Sequence, residues 1–176
     1  MAWPPAPHGV IIVYPHTSNW DFVYGYLAKA ATGLPVRWIG KASLFRWPLA
    51  GLLRRMGGIP VRRGERSGLT GDLRREIELR SWLWIAVAPE GTRARTDHLK
   101  SGFYRLALTA GVPLGLAFID YRRRQVGLTR YLALSGEPEA DLARVREAYR
   151  GVVGRRPERA GEIRFRDGGE EAGVRR

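Results

Sequence analysis

The segment VIIVYPHTSNWD, residues 10–21, sets the organisation of the whole chain. Its first four residues are valine and isoleucine, a composition typical of a strand that is buried on both faces. A histidine follows this predicted strand, and a carboxylate comes five residues later. On one continuous helix, side chains five residues apart point about 140° away from each other. His16 and Asp21 can therefore meet only if His16 lies in a loop and Asp21 lies in the first turn of a helix.

Ser18 makes a helix start at this point plausible in two different ways. Serine is a good N-cap residue, and here an acidic residue stands three positions after it. In one interpretation, Asp21 orients the His16 imidazole for chemistry. In the other, Asp21 only satisfies the backbone at the start of a helix. The spacing alone leaves both interpretations open.

The composition restricts the classes of site that the chain can contain. A length of 176 residues predicts one domain with a substantial core. The absence of cysteine excludes a thiol nucleophile, disulfides and thiolate metal sites. The three histidines, His8, His16 and His98, have no spacing typical of metal ligands, so no metal site is expected.

The positive charge of the chain either serves to bind an anionic partner or has no functional role. The formal net charge is +13, and arginine supplies 27 of the 30 basic residues. Nucleic acid, an anionic membrane and a phosphorylated substrate are all compatible with this charge. No apolar run approaches the ~18 residues of a membrane span, and the start lacks the pattern of a secretory signal. We therefore expect a cytoplasmic protein that associates peripherally with the inner face of the cell membrane.

Strand-like and helix-like segments alternate along the chain. Strands are predicted at 9–14, 36–39, near 59–61, 82–88 and 112–119, with a strand or hairpin within 124–134. Helices are predicted at 21–32, 49–56, 69–80, 103–110 and 142–152. This alternation predicts an α/β fold, with a mostly parallel mixed sheet covered by helices in a single domain. We assign residues 1–153 to that domain and 154–176 to a polar, loosely ordered tail.

The predicted helix around Leu49 combines apolar and basic residues. Leu49, Leu52, Leu53 and Met56 repeat at helical spacing, and arginines stand between and beside them. Such a basic amphipathic helix either lies on an ordinary protein surface or touches lipid.

Three polar stretches follow predicted strands: the one at His16, the pair Arg62-Arg63, and Glu90-Gly91-Thr92-Arg93. Sites in open α/β sheets lie at the carboxyl ends of strands. In this order and spacing the motifs resemble those of the glycerolipid acyltransferases, the family that contains the lysophosphatidic acid acyltransferases. The matching positions are His16 and Asp21 (His-x4-Asp), Gly57 to Arg63 (Gly-x-Ile-x-x-x-Arg), Glu90 to Arg93 (Glu-Gly-Thr-Arg) and Val112-Pro113-Leu114.

The resemblance covers about residues 10–120 and implies a glycerol-3-phosphate acyltransferase-like fold. It also implies that His16 is the general base that takes a proton from the acceptor hydroxyl, a role that suits an imidazole with an ordinary pKa of about 6.5. Asp21 would hold the imidazole in one tautomer, as the acid does in a serine triad. A Gly-x-Ser-x-Gly elbow is absent, so we expect no covalent acyl-enzyme.

The same resemblance implies which residues bind substrate. Arginine pairs with phosphate in a bidentate manner. Arg63 and Arg93 are the expected phosphate contacts, with Arg62 and Lys100 beside them. Glu90 is expected to orient Arg93 or the acceptor. The remaining expected contacts are Thr92 and Gly91, where glycine permits a close approach or a positive φ.

The expected reaction moves an acyl group from coenzyme A or acyl carrier protein to a lysophospholipid, by default 1-acyl-glycerol-3-phosphate, and needs no cofactor. Arg62 stands where relatives often have an acidic residue, so another lysolipid such as an amino-lipid is the alternative acceptor. A second class of function is a basic module that binds nucleic acid or an anionic surface without catalysis. That module would not need a carboxylate beside His16. Phosphoryl transfer is disfavoured because Gly33 to Lys41 lacks Walker A spacing.

Overall fold

The computed structural model describes residues 4–61 and 68–166. Within these residues, six strands form one sheet with the order β3-β2-β4-β1-β5-β6. Strands β1 to β5 run parallel to one another, and β6 pairs antiparallel with β5. The strands are β1 (His8–Val13), β2 (Arg37–Lys41), β3 (Gly58–Val61), β4 (Leu83–Val87), β5 (Leu114–Asp120) and β6 (Gln125–Leu132).

Helices connect successive strands from β1 to β5, as the alternating pattern predicts, and a short turn joins β5 to β6. They are α1 (Trp20–Thr32), α2 (Ala50–Arg55), α3 (Gly68–Glu78), α4 (Gly102–Thr109) and α5 (Pro138–Ala148). Short 3-10 turns occur at Ala42–Leu44 and Pro157–Arg159. The predicted α/β fold with a mostly parallel mixed sheet is confirmed.

Strand β1 lies in the middle of the sheet, between β4 and β5. Val10 and Ile12 have no exposed surface, which agrees with a valine and isoleucine run buried on both faces. Because β1, β4 and β5 are parallel, their carboxyl ends meet at one edge of the sheet. The residues that follow these three strands therefore come together, although they are far apart in the chain.

Helix α1 buries less of its apolar side than its spacing suggests. Among its residues, only Asp21 is fully buried, while Val23 and Leu27 remain exposed. A helical period identifies residues that share a face, but it does not show whether other elements cover that face.

The first part of the predicted tail departs from the expectation of loose order. The segment 152–166, here called the C-terminal strap, is hydrogen bonded to the domain at several points. Tyr121 N–H donates to Val153 O (2.9 Å), and Leu99 N–H donates to Arg164 O (2.8 Å). The strap is ordered by backbone hydrogen bonds, which a polar composition does not reveal. The tail from residue 167 onwards lies outside the described residues.

Among the helices of residues 4–61 and 68–166, none has both the length and the apolar character needed to cross a bilayer.

Candidate active site

The loop after β1 brings His16 and Asp21 into contact. His16 lies in this loop, and Asp21 lies in the first turn of α1. The distance between His16 Nδ1 and Asp21 Oδ2 is 3.3 Å, with the two side chains 19% and 1% exposed. This is the arrangement of loop and helix that the five-residue spacing requires.

The Asp21 carboxylate also satisfies the backbone at the start of α1. Its Oδ2 accepts hydrogen bonds from the N–H groups of Thr17 and Ser18, both at 2.8 Å. Ser18 Oγ accepts the N–H of Trp20 at 3.2 Å. The two interpretations of the spacing are thus compatible, because the same carboxylate holds the backbone turn and faces the imidazole.

The other oxygen of Asp21 has a partner from a distant part of the chain. The Tyr121 hydroxyl, which follows β5, donates to Asp21 Oδ1 at 2.7 Å. Burial acts to raise the pKa of Asp21, but hydrogen bonds from His16, Tyr121 and Ser18 outweigh it and hold the pKa below its usual value. Asp21 is therefore a stable anion beside the imidazole.

Glu90 occupies a different place from the one expected. Its side chain is turned inward with only 2% of the residue exposed. Glu90 Oε2 accepts the backbone N–H of His16 (2.6 Å), and Oε1 accepts the backbone N–H of Gly161 (3.1 Å). The carboxylate therefore fixes the main chain of His16 and of the strap, rather than orienting Arg93 or facing outward to an acceptor.

The environment of Glu90 makes its charge costly. Burial raises its pKa to about 7, although the two backbone hydrogen bonds and the nearby His16 act in the opposite direction. The Asp21 anion adds a smaller effect that raises the pKa further. Two carboxylates thus approach His16, one with a lowered and one with a raised pKa.

The C-terminal strap contacts the loop after β1 and the start of α1. Tyr14 O–H donates to Gly161 O at 2.7 Å, and Arg156 N–H donates to Thr17 Oγ1 at 3.2 Å. Arg155 lies over the Trp20 ring, with its guanidinium carbon 5.6 Å from the ring centroid. Sequence analysis missed the strap and Tyr121, since partners separated by 100 residues or more produce no local pattern.

The segment after Glu90 is exposed and basic. Gly91 has a φ of 66°, the left-handed conformation that glycine permits, and the stem of Lys100 packs against it. The expected contacts Thr92 and Arg93 lie on the surface. They line a shallow depression of about 650 Å³ together with Ala94, Arg95, Glu158 and Arg159. The predicted contacts Arg62 and Arg63 lie outside the described residues.

No metal site is apparent in the part of the chain that the structure describes. Residues 4–61 and 68–166 contain no group of three or more histidine, aspartate or glutamate residues placed to hold an ion.

Comparison with known proteins identifies the family. A family model described as "Acyltransferase" matches residues 4–115, a range that contains the His16 and Asp21 pair and the segment Glu90 to Arg93. The chain belongs to the acyltransferase family. This confirms the resemblance. It also disfavours the nucleic-acid module, as does the carboxylate beside His16, which that module would not need.

A curated relative of this acyltransferase is the lyso-ornithine lipid O-acyltransferase of Pseudomonas aeruginosa. The two chains are 33% identical over 93 residues, which is 51% of this chain and 36% of the relative. The match therefore spans little more than a third of the relative's length.

The raised pKa of Glu90 predicts a pH dependence of stability. The folded protein holds the Glu90 proton more tightly than the unfolded chain does, because the pKa rises from 4.5 to about 7. The resulting stabilisation is complete below about pH 4.5 and is lost as the pH rises through about 7. Glu90→Gln cannot titrate. The free energy of unfolding of the wild type, relative to Glu90→Gln, should fall by roughly 1–3 kcal/mol between pH 4.5 and pH 8.

Urea unfolding of both proteins across this pH range measures the difference, and the subtraction cancels the titration of groups that do not interact with Glu90. A difference that stays constant with pH would show that Glu90 ionises normally in the folded protein.

Proposed function

We propose that this protein is an O-acyltransferase that moves an acyl group from a thioester to the hydroxyl of a lysolipid. The observation that carries the proposal is the His16 Nδ1 to Asp21 Oδ2 contact of 3.3 Å, in which the imidazole keeps some exposure while the carboxylate is buried. The family match and the O-acyltransferase activity in the name of the relative support the same reaction class.

His16 is the general base of this reaction. With Nδ1 facing Asp21, Nε2 takes the proton of the lysolipid hydroxyl as its oxygen attacks the thioester carbonyl. Asp21 stabilises the imidazolium that forms. The tetrahedral intermediate collapses by breaking the carbon–sulfur bond, and the imidazolium returns its proton to the departing thiolate. The products are an ester and a free thiol, so protons and electrons balance without a cofactor.

The donor is the thioester of coenzyme A or of acyl carrier protein, as the resemblance implies. The exposed arginines Arg93, Arg95 and Arg159 provide positive charge in the depression that follows Glu90, which Glu158 also lines. Either donor carries phosphate groups that such charge would attract. These residues are therefore available to the donor as well as to the acceptor.

Two acceptors follow from different observations. Arg93 supports a phosphate-bearing lysolipid such as 1-acyl-glycerol-3-phosphate, because guanidinium pairs well with phosphate. The name of the relative supports an amino-lipid acceptor, the alternative that Arg62 suggested. An assay with both acceptors decides between them.

Substitution of the pair tests the proposed chemistry. We expect His16→Ala to lower the rate of acyl transfer about 10²- to 10⁴-fold, the usual contribution of a general base. Asp21→Asn should also reduce the rate strongly, because the amide neither selects the correct tautomer nor stabilises the imidazolium. Release of free thiol with a lysolipid present measures both rates.

His8→Ala is the matched control, since His8 lies at the start of β1 and bonds the Arg80 carbonyl. It should retain wild-type turnover. Full turnover of Asp21→Asn with a lowered melting temperature would show that Asp21 serves only the start of the helix.

Arg93 is the expected determinant of the headgroup. We expect Arg93→Ala to raise KM for a phosphorylated lysolipid about ten- to hundred-fold, because one charge-assisted hydrogen bond is lost. The KM for an acceptor without phosphate should change little. Steady-state assays with both acceptors give the comparison, and Arg130→Ala, an exposed arginine on β6, is the control. Equal losses with both acceptors would assign Arg93 to the donor or to the structure.

We further propose that the protein reaches its lipid substrate through one exposed surface, here called the apolar surface. The segment after β2 contributes Leu44, Trp47, Leu49 and Leu52, and α1 contributes Val23 and Leu27. All six side chains are exposed, Trp47 to 93%. Lys29 of α1 donates to Met56 O, just after α2, at 3.1 Å, which links α1 to the end of α2.

The position of the apolar surface and the basic residues beside it suit contact with an anionic leaflet. The chain leaves parallel strand β2 at the same edge of the sheet as His16 and Glu90. Phe45 is buried and stacks on Trp38, with centroids 5.7 Å apart, so the segment is anchored while Trp47 stays exposed. Arg46, Arg54 and Arg55 are exposed beside these apolar residues. Tryptophan favours the headgroup zone, and basic residues favour anionic lipid.

Vesicle binding tests the apolar surface. We expect binding to vesicles that contain phosphatidylglycerol, weakened by salt, and little binding to phosphatidylcholine alone. Trp47→Ala should weaken binding about ten-fold, because a large apolar side chain no longer leaves water. Arg54→Glu/Arg55→Glu should weaken it more, since each charge near an anionic leaflet contributes about 1 kcal/mol. Co-sedimentation measures both.

Leu79→Ala provides the control, because Leu79 is 72% exposed but precedes β4, at the opposite edge of the sheet. Unchanged sedimentation of the Trp47 and arginine variants would remove the apolar surface as the membrane contact.

A further inference from the structure

The hydrogen bond between Tyr121 and Asp21 joins the carboxylate beside the candidate base to the end of the neighbouring strand β5. Tyr121 comes directly after β5 (Leu114–Asp120), and its hydroxyl lies 2.7 Å from Asp21 Oδ1. The two residues are 100 positions apart in the chain. No motif in the sequence indicates this contact.

Tyr121 is held in place on two sides. Its backbone N–H donates to Val153 O of the C-terminal strap at 2.9 Å. Its ring packs edge-on against Tyr24 of α1, with centroids 5.8 Å apart and an interplanar angle of 81°. These two contacts fix the backbone and the ring of Tyr121, so little entropy is lost when the hydroxyl forms its hydrogen bond with Asp21.

The two oxygens of Asp21 divide their partners. Oδ2 accepts the N–H groups of Thr17 and Ser18 and faces His16 Nδ1, whereas the Tyr121 hydroxyl donates to Oδ1. A carboxylate bound through one oxygen can still turn about its Cβ–Cγ bond. The hydroxyl on Oδ1 limits that rotation and takes up part of the negative charge.

We propose that Tyr121 is a positioning residue for acyl transfer, which holds the Asp21 carboxylate in the orientation that serves His16. The inference rests on the proposed role of His16 as general base. Tyr121 acts on His16 through Asp21. It would have the same role with either acceptor and either donor.

A purely structural role has different consequences. If Tyr121 only ties β5 to α1, then loss of its hydroxyl lowers stability and leaves the titration of His16 unchanged. If it positions Asp21, then Oδ1 loses its only side-chain donor in the described residues. The Asp21 carboxylate then interacts more strongly with His16. This favours the imidazolium, so His16 should lose its proton at a higher pH than in the wild type.

Several other ionisable groups surround the pair. Glu90 comes from the turn after β4, Tyr24 from α1, and Arg155 from the C-terminal strap. Glu90 also changes its ionisation state near neutral pH, because its pKa is about 7. These groups are common to the wild type and to a Tyr121 variant, so a comparison of the two cancels their effects to first order.

The test is Tyr121→Phe, which removes the hydroxyl and keeps the ring against Tyr24. We expect kcat at the alkaline plateau to fall about three- to ten-fold, with KM for donor and acceptor within about two-fold of wild type. The acid limb of the pH profile should move up by about half a pH unit. NMR titration of the His16 ring should show the same shift without any need for activity.

Tyr104→Phe is the matched control. Tyr104 O–H donates to Asp141 Oδ2 at 2.9 Å, a second buried tyrosine–aspartate pair, which joins α4 to α5. This variant should lose stability and leave both kcat and the His16 titration unchanged. If Tyr121→Phe does not fold, Tyr24→Ala removes the supporting ring at an exposed position and should shift the His16 titration in the same direction.

The outcomes separate the inference from the proposed function. An unchanged or downward shift of the His16 titration in the folded variant would overturn the role of Tyr121, even if His16→Ala abolishes turnover. Absence of acyl transfer by the wild type with every lysolipid would instead overturn the proposed function. In that case an upward shift of the titration would still establish that Tyr121 acts on His16 through Asp21.

Discussion

The site depends on one buried anion, the carboxylate of Asp21. A charge removed from water must find hydrogen-bond partners or destabilise the fold. Asp21 finds them in two backbone N–H groups of its own loop, in the Tyr121 hydroxyl after β5, and in the His16 imidazole. The loop after β1, the start of α1 and the end of β5 are thereby held in one arrangement. Any change that moves one of these elements also moves the imidazole.

Glu90 complements Asp21 from the other side of His16. Asp21 faces the imidazole ring, whereas Glu90 binds the main chain of His16 and of Gly161. Hydrogen bonds keep the pKa of Asp21 low, and burial raises that of Glu90. The histidine is therefore fixed at ring and backbone by two carboxylates of different character. The Glu-Gly-Thr-Arg segment then combines a buried structural acid with an exposed arginine, separated by one glycine turn.

The proposed apolar surface would give a role to Val23 and Leu27, which α1 leaves exposed. Trp47 is exposed as well, and its segment leaves β2 at the edge of the sheet that carries His16. A lipid leaflet at this surface would bring the acceptor hydroxyl to the imidazole without taking the whole lipid from the membrane.

The sequence alone determined the features that depend on residues close together in the chain. The β1 strand and the start of α1 follow from composition and local pattern, and the five-residue spacing states the condition under which His16 and Asp21 can meet. The family motifs identified the reaction class. Tertiary structure decided the inward position of Glu90, the hydroxyl of Tyr121 on Asp21, and the order of residues 154–166. Each of these depends on partners that are far apart in the chain and that the fold brings together, and helical or strand periodicity carries no information about such distant partners.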